Sequence, residues 1–375
     1  GLARIAPESG ELPAKGRPIL GGRRIASTMA DPRPLKARSS YPPPVRVLVT
    51  GGHGFVGSHL VRRLLAAGEA VRCLVRRPGV PPALAGLEVE LVEGDARDPD
   101  AARRALDGVD QVHHLAALTR SRTRREMLET NVGATRTLLD AARRAGLEGT
   151  FAFCSSLAAV GPSPDGRALD EDSPRRPVTW YGESKARAED VVRAAAGDVP
   201  VTILRPPAVY GPRDRDFLAV FQAAGRGVAP RLGDGPKTYS FVYVEDLADG
   251  LATAGLSPAA RGRTYFVTHP AIVPVETFLA AVAGAMGRRP RLLRVPDSAL
   301  RLLTTLSEVG GQLSTRPPLL NHQRLLELEG AAYVCSGRTL AQDIGWRATT
   351  DVEEGTRKTA AWYRDQGWLP SGGAR

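Results

Sequence analysis

Val45-Arg46-Val47-Leu48-Val49-Thr50-Gly51-Gly52-His53-Gly54-Phe55-Val56-Gly57 decides the fold. Residues 45–49 form the apolar run that a strand buried on both faces requires. Gly51, Gly54 and Gly57 then recur at G-x-x-G-x-x-G spacing, and residues 55–67 show helical periodicity that stops at Gly68. Between a strand and a helix, the first glycine permits a sharp turn and the second lets backbone approach a pyrophosphate. The third lets helix pack closely on strand. The helix N-terminus offers free N–H groups and a favourable dipole to phosphates. Gly51, Gly54, Phe55, Val56 and Gly57 are thus candidate cofactor contacts. The same triplet in an unrelated α/β protein is a structural turn.

The residues that follow repeat the alternation. Stretches 70–75, 88–92, 110–114, 150–154 and 201–204 read as strands, with helices at 99–106, 124–145 and 180–196. Strands alternating with helices demand right-handed βαβ units and a parallel sheet. The expected fold is α/β: a Rossmann-type doubly wound parallel sheet over residues 45–206, then a smaller, mostly helical substrate lobe over 207–375. Short helices are expected in that lobe at 217–225, 245–256, 275–286, 296–310 and 351–366. Returns to the sheet are expected near 239–244 and 264–267. Residues 1–44, rich in Pro, Gly and Arg, lack a periodic apolar face and read as a disordered extension with Met29 as an alternative start.

Bulk properties exclude several classes. The net charge of +11 would suit an anionic partner. The arginines, however, are dispersed and sit beside acids on helical faces, so no nucleic-acid partner is expected. No stretch approaches the ~18 apolar residues of a membrane span; residues 299–313, the nearest candidate, are interrupted by Arg301 and Glu308. Cys73, Cys154 and Cys335 are far apart and odd in number, which gives neither a metal site nor a disulfide framework and fits a reducing cytoplasm.

The end of the second strand bears on cofactor choice. A carboxylate there would bond a ribose 2′-hydroxyl, and a cation would accept a 2′-phosphate. The residues are Leu74-Val75-Arg76-Arg77-Pro78, so Arg76, with Arg77 beside it, favours NADP(H) over NAD(H). In an Arg-rich chain a solvated surface pair is the alternative. Asp95, after the third strand with Ala96, suits a hydrogen bond to the adenine amino group or an ordinary loop cap.

Tyr181 and Lys185, at i and i+4, share one helix face. A phenol with a pKa of ~10 needs help to act as a base at neutral pH, and a nearby ammonium favours the phenolate. Lys185 can also bond cofactor ribose hydroxyls. The serine pair Ser155-Ser156 ends an apolar run upstream, and a serine there can orient a substrate oxygen while Tyr181 gives or takes its proton.

With these residues the chain resembles the extended short-chain dehydrogenase/reductase family of the NAD-dependent epimerase/dehydratase type, from about residue 45 to 368. His113-His114-Leu115-Ala116-Ala117 is similar to the family's cofactor-lining fourth strand, and Asn131-Val132-Gly133-Ala134-Thr135 to its Asn-containing helix. Leu204-Arg205-Pro206-Pro207-Ala208-Val209-Tyr210-Gly211-Pro212 resembles the segment entering the substrate lobe, and Phe241-Val242-Tyr243-Val244-Glu245-Asp246 the late strand-to-helix junction. The resemblance implies Ser156, Tyr181 and Lys185 as catalytic residues. It also implies Ala116, Ala117 and Pro206 as cofactor contacts and a homodimer through the helices around Asn131 and Tyr181.

Substrate class rests on two positions. Sugar-nucleotide members usually carry an Asn where this chain has Ala208, and an Arg where it has Tyr239, both holding a diphosphate. Arg213, Arg215 or Arg231 could compensate. The pattern is more similar to 3β-hydroxysteroid dehydrogenases, dihydroflavonol and cinnamoyl-CoA reductases and bacterial hopanoid-associated members. It implies an oxidoreductase acting on a ketone or secondary alcohol of a bulky lipophilic small molecule; the alternative is a sugar-nucleotide epimerase or dehydratase with bound NAD. Residues 299–306 are apolar enough to line a greasy pocket, or simply to pack as a helix.

Overall fold

Val47 and Val49 face one side of the first strand and Leu48 the other, and all three are fully buried. A strand without a solvent face needs a layer of structure on each side. The structure, a computed structural model that describes residues 45–289, 291–311, 322–329 and 332–370, supplies both layers. The extension expected at residues 1–44 lies outside the described residues.

The first half runs β1 (Arg46–Thr50), α1 (Phe55–Ala66), β2 (Ala70–Val75), β3 (Val89–Glu93), α2 (Pro99–Leu106), β4 (Gln111–His114), α3 (Arg124–Arg144), β5 (Phe151–Cys154), α4 (Trp180–Ala194) and β6 (Val201–Arg205). The second runs β7 (Ala208–Tyr210), α5 (Leu218–Gly225), β8 (Val228–Leu232), β9 (Thr238–Tyr243), α6 (Val244–Leu256), β10 (Thr264–Phe266), β11 (Ile272–Pro274), α7 (Val275–Ala285), β12 (Arg291–Val295), α8 (Asp297–Gly311), α9 (His322–Glu329), β13 (Ala332–Tyr333), α10 (Arg338–Ile344) and α11 (Val352–Asp365).

Seven parallel strands pair in the order β3-β2-β1-β4-β5-β6-β10. The chain winds outward from β1 in both directions, so a crevice opens between β1 and β4 at the carboxyl ends of the strands, where dinucleotide-binding sheets hold their ligands. Leu60 and Leu64 of α1 and Leu247 and Leu251 of α6 cover the Val47–Val49 face. Ala102 of α2, Leu138 of α3 and Val192 of α4 cover the Leu48 face. This is the doubly wound fold expected from the alternation.

The expected return near 239–244 is corrected. β9 does not join the large sheet; it forms a second sheet with β7, β11 and β13. The physical reason lies at Pro206-Pro207, between β6 and β7. Two residues without N–H groups cannot continue the ladder, so β7 leaves β6 and pairs with β9 instead, Ala208 opposite Phe241. Around β9 the lobe builds an aromatic core, with Phe241 stacked on Phe278 at 4.4 Å. Strands β8 and β12, which form a separate two-stranded sheet, had no clear sequence signal.

Three buried histidines tie stability to pH. His59 of α1 is lowered to about 4 by burial, which outweighs its bond to the Pro212 carbonyl. His113, packed where a Cβ on Gly255 would stand 2.2 Å from its ring, is lowered to about 4 by burial, and His114 to about 3 by burial and then by the Lys185 charge. All three lie below the solvated value of 6.5, so the unfolded chain takes up protons first. Stability is intact above about pH 6.5 and is lost as pH falls below it, by on the order of 2 kcal/mol per histidine at about pH 5. Asp214, raised to about 6 by burial, acts in the opposite sense and offsets part of this. Calorimetry should therefore show Tm falling steadily from about pH 6.5 to 4.5; a flat Tm would contradict buried neutral imidazoles.

Candidate active site

The carboxyl ends of six strands carry most of the residues singled out in the sequence: Gly51 after β1, Arg76 after β2, Asp95 and Ala96 after β3, Ala116 and Ala117 after β4, Ser156 after β5 and Pro206 after β6. A Cβ on Gly51, which has φ +72, would stand 2.8 Å from the Ala116 nitrogen, and one on Gly57 would stand 2.1 Å from the Gly51 carbonyl oxygen. The turn thus closes on β4 and on its own helix only with glycine. The Gly54 N–H donates to the Gly51 carbonyl at 2.9 Å. Gly54 starts α1 with no side-chain cap and no acid in the first turn. The helix keeps unused N–H groups and the positive end of its dipole, and this bare cradle fits a dinucleotide pyrophosphate.

Arg76 is exposed and forms no ion pair among the described residues. Its charge reaches His53 and Asp95. The Asp95 carboxylate accepts from the Arg97 backbone N–H at 2.9 Å and from Nε and Nη2 of its guanidinium. These bonds come first in holding its carboxyl below the usual range. Asp95 is thus a loop cap here, standing beside the cation that could face a 2′-phosphate.

Ser156 opens a short turn, Leu157–Ala159, and its oxygen accepts from the Ala158 N–H at 3.1 Å. Its hydroxyl is hydrogen-bonded to Tyr181 on α4. Gly182 makes this closeness attainable, since a Cβ there would stand 2.2 Å from the Ala158 carbonyl oxygen. Lys185, buried one turn on, donates to the Cys154 carbonyl at 2.6 Å and lies 4.8 Å from the Phe153 ring centre. The expected lowering of the phenol by this ammonium is not found. Burial pushes the Tyr181 phenol up, Cys154 adds to the shift, and the Ser156 bond pulls it back only in part. Burial also lowers the Lys185 ammonium, against the pull of Cys154 and the Glu189 carboxylate.

Glu189, the next residue on the Tyr181–Lys185 face, was missed in the sequence. It is fully buried, and Arg205 donates Nε and Nη2 to its two oxygens, each at 2.8 Å. Ser155 donates to it at 2.6 Å and Arg193 at 3.1 Å. Burial alone would raise this carboxyl; the Arg205 bonds and charge, with Ser155 and Arg193, win and hold it low. The detectable signal was a carboxylate continuing the i, i+4 series from Tyr181 and Lys185. Asn131 on α3 fixes the facing loop, accepting from the Leu118 N–H at 2.7 Å and donating to the Leu118 carbonyl and the Ser184 hydroxyl. Behind it the hydrogen bonds impose one tautomer on His114. Thr135 gives its proton to the Asn131 carbonyl, so it accepts from His114 Nε2, and Nδ1 accepts from Thr50.

On the substrate side, Tyr239 stacks on Tyr333 with centroids 6.0 Å apart, and Ala208 is half-buried. Of the three arginines able to replace diphosphate contacts, Arg231 is tied to a carboxylate and a carbonyl, Arg213 to one carbonyl with its Nε buried and unpartnered among the described residues, and Arg215 faces a ring. Arg213 donates to the Ala83 carbonyl at 3.1 Å, Arg215 lies 5.0 Å over the Trp368 ring, and Arg231 donates to Glu276 at 2.7 Å and to the Gly235 carbonyl at 2.6 Å. Of the apolar stretch 299–306, Leu300 is buried, but Leu302, Leu303 and Leu306 are exposed rather than packed. A depression of about 560 Å³ at the opposite edge of the sheet, beside Val45, Asp110 and Arg261, carries none of this chemistry.

The family model described as the NAD dependent epimerase/dehydratase family matches residues 47–267. The chain is 34% identical over 333 residues to a Caulobacter vibrioides protein named ceramide reductase, covering 86% of this chain and 96% of that one. It is 34% identical over 278 residues to a 3 beta-hydroxysteroid dehydrogenase/Delta 5-->4-isomerase of Mycobacterium tuberculosis, covering 69% and 74% respectively. A UDP-glucose 4-epimerase of Thermus thermophilus in complex with NAD has a similar structure, with TM-score 0.69 and 27% identity over 85% of this chain and 99% of that one.

Glu189→Ala would leave Arg205 buried without a counter-charge and should cost about 3–5 kcal/mol. Glu183→Ala removes a more exposed pair with Arg124 and should cost less than about 1 kcal/mol. Urea unfolding of both variants measures the difference, and equal effects would show that the buried pair does not anchor the site.

Proposed function

The chain belongs to the NAD dependent epimerase/dehydratase family, and on that footing we propose that it is an NADP(H)-linked oxidoreductase acting on the ketone or secondary alcohol of a bulky lipophilic substrate. The observation that carries the substrate class is the presence of Ala208 and of Tyr239, stacked on Tyr333, at the two diphosphate positions, with Arg231 tied to Glu276. A diphosphate needs charge-assisted donors, and these two positions offer a methyl group and a stacked ring instead. The names of the two relatives, a ceramide reductase and a 3 beta-hydroxysteroid dehydrogenase, agree with a lipophilic substrate.

A nicotinamide dinucleotide held on the Gly51–Gly54–Gly57 turn supplies or removes the hydride. Gly51, Gly54, Phe55, Val56 and Gly57 would bind its pyrophosphate. Ala116, Ala117 and Pro206 would line its path, with Asp95 and Ala96 at the adenine end. Ser156 orients the substrate oxygen through its hydroxyl. Tyr181, kept protonated by burial, gives that oxygen a proton in reduction and takes it back in oxidation. Of the three Lys185 donors one holds the Cys154 carbonyl, which leaves two for cofactor hydroxyls. The ammonium is thereby tethered where it can stabilise the phenolate once the site is filled.

The second reading, a sugar-nucleotide epimerase or dehydratase with NAD, is favoured by the likeness to the UDP-glucose 4-epimerase. A thermal-shift panel separates the two: NADPH should stabilise the protein more than NADH, and UDP-glucose should not stabilise it. Tyr181→Phe should lower turnover by about 10²–10⁴-fold and leave NADPH binding intact; undiminished turnover would refute the mechanism. Arg76→Ala should weaken NADPH by about 10- to 100-fold and leave NADH unchanged, measured by fluorescence titration.

A further inference from the structure

Five of the eight large apolar side chains that the described residues expose fall within residues 292–306: Leu292, Leu293, Leu302, Leu303 and Leu306. Their exposures run from 47% to 61%. A helix on a globular protein normally turns its apolar stripe to the core. In α8 the apolar stripe of Ala299, Leu302, Leu303 and Leu306, at i, i+3, i+4 and i+7, leaves its three leucines exposed and Ala299 half-buried. Thr304 is buried in its place beside Leu300 and satisfies its hydroxyl on the Leu300 carbonyl at 2.8 Å. The adjoining strand β12 is paired on one side only, with β8, and exposes Arg291, Leu292, Leu293 and Arg294 in succession.

Charge accompanies this surface. Residues 288–308 hold five arginines against Asp297 and Glu308. Arg288, Arg289, Arg291 and Arg294 are exposed and form no ion pair among the described residues. Leucines beside unpaired arginines match the boundary between acyl chains and phosphate headgroups, where the apolar groups sink and guanidinium groups bond phosphate. They match a protein interface poorly, since interface cores are enriched in aromatic residues and residues 288–308 contain none. A second copy across a two-fold axis would bring arginines against arginines.

We propose that β12 and α8 form a docking face for an anionic lipid bilayer, on which the protein lies without spanning it. The face is joined to the reaction site by short links. The His322 N–H of α9 donates to Glu308 of α8 at 2.7 Å, and Gln323 of α9 accepts from the N–H of Trp180, the residue before Tyr181, at 2.6 Å. Docking through this face would set the helix that carries Tyr181 close to a bilayer, a source of lipophilic molecules; that use of the face rests on the proposed function, while the docking itself does not.

Vesicle flotation tests the docking with the full chain and two variants, Leu302→Ser/Leu303→Ser/Leu306→Ser and Arg291→Ala/Arg294→Ala. The wild type should float with phosphatidylcholine–phosphatidylglycerol vesicles, weakly with phosphatidylcholine alone, and less at high salt. The leucine variant should lose flotation with its Tm and NADPH binding retained. The arginine variant should bind anionic vesicles on the order of 30-fold more weakly. Absence of wild-type flotation, or equal flotation of the leucine variant, overturns the proposal. So does conversion of a wild-type dimer to a monomer by the leucine substitutions, which would assign the face to a protein partner. Flotation with no hydride transfer in the wild type would keep the docking and reject the redox reading.

Discussion

Glu189 on α4 and Arg205 at the end of β6 meet as a bidentate ion pair out of contact with water. Two ions cannot be taken from water separately without a cost of several kcal/mol each, so helix and strand must come together in one register. That register sets the site. Ser155 bonds the same carboxylate, which orients the backbone that leads into Ser156. Lys185 lies one turn before Glu189 and Tyr181 two turns before it, so the rotation of α4 that buries Glu189 aims both toward the strand ends. From the other side, Asn131 clamps the β4–α3 loop and reaches Ser184. Chemistry and anchoring thus alternate along one helix.

The legible and illegible parts of the sequence differ for physical reasons. Val45 to Val49 and the glycine turn announced β1 and α1 because a strand buried on both faces and a phosphate-sized turn each demand a narrow residue set. Pro99–Leu106 and Ala70–Val75 lie where periodicity put them, flanked by a cap and a stop. β8 and β12 were missed because a short, half-exposed strand pair has neither alternation nor continuous apolarity; Arg291-Leu292-Leu293-Arg294 fits no template. The late return at residues 239–244 was misplaced because a strand pattern does not name its partner, and only the proline pair after β6 decides that. Residues 299–306 show the same limit in a helix: the stripe was visible, but not the side to which it turns. At the site, residue types and spacing pointed to Tyr181, Lys185 and Ser156. The raised phenol depends on burial, a property of the folded chain.

The two parts of the molecule divide the work by composition. The seven-stranded sheet presents backbone N–H groups, glycines and the exposed Arg76 and Arg77 at its carboxyl edge, a surface suited to phosphate. The lobe around β9 is built on a core of stacked aromatic rings, with Arg213 tied to a carbonyl, Arg231 to a carboxylate and Arg215 set over an indole ring. Ser156 and Tyr181 stand where these surfaces meet. The two sides of the crevice thus differ in chemistry, and the proposed pairing of a polar dinucleotide with an apolar substrate rests on that contrast.

Gly182 carries a consequence beyond this chain. The Ala158 carbonyl occupies the space of a side chain at position 182, so the serine-bearing turn and the tyrosine-bearing helix are fitted to each other at van der Waals distance. They form one fitted unit. A chimaera that imports the tyrosine segment from a relative with a bulkier residue at this position must import the serine segment too, or the Ser156 and Tyr181 hydroxyls will be wedged apart.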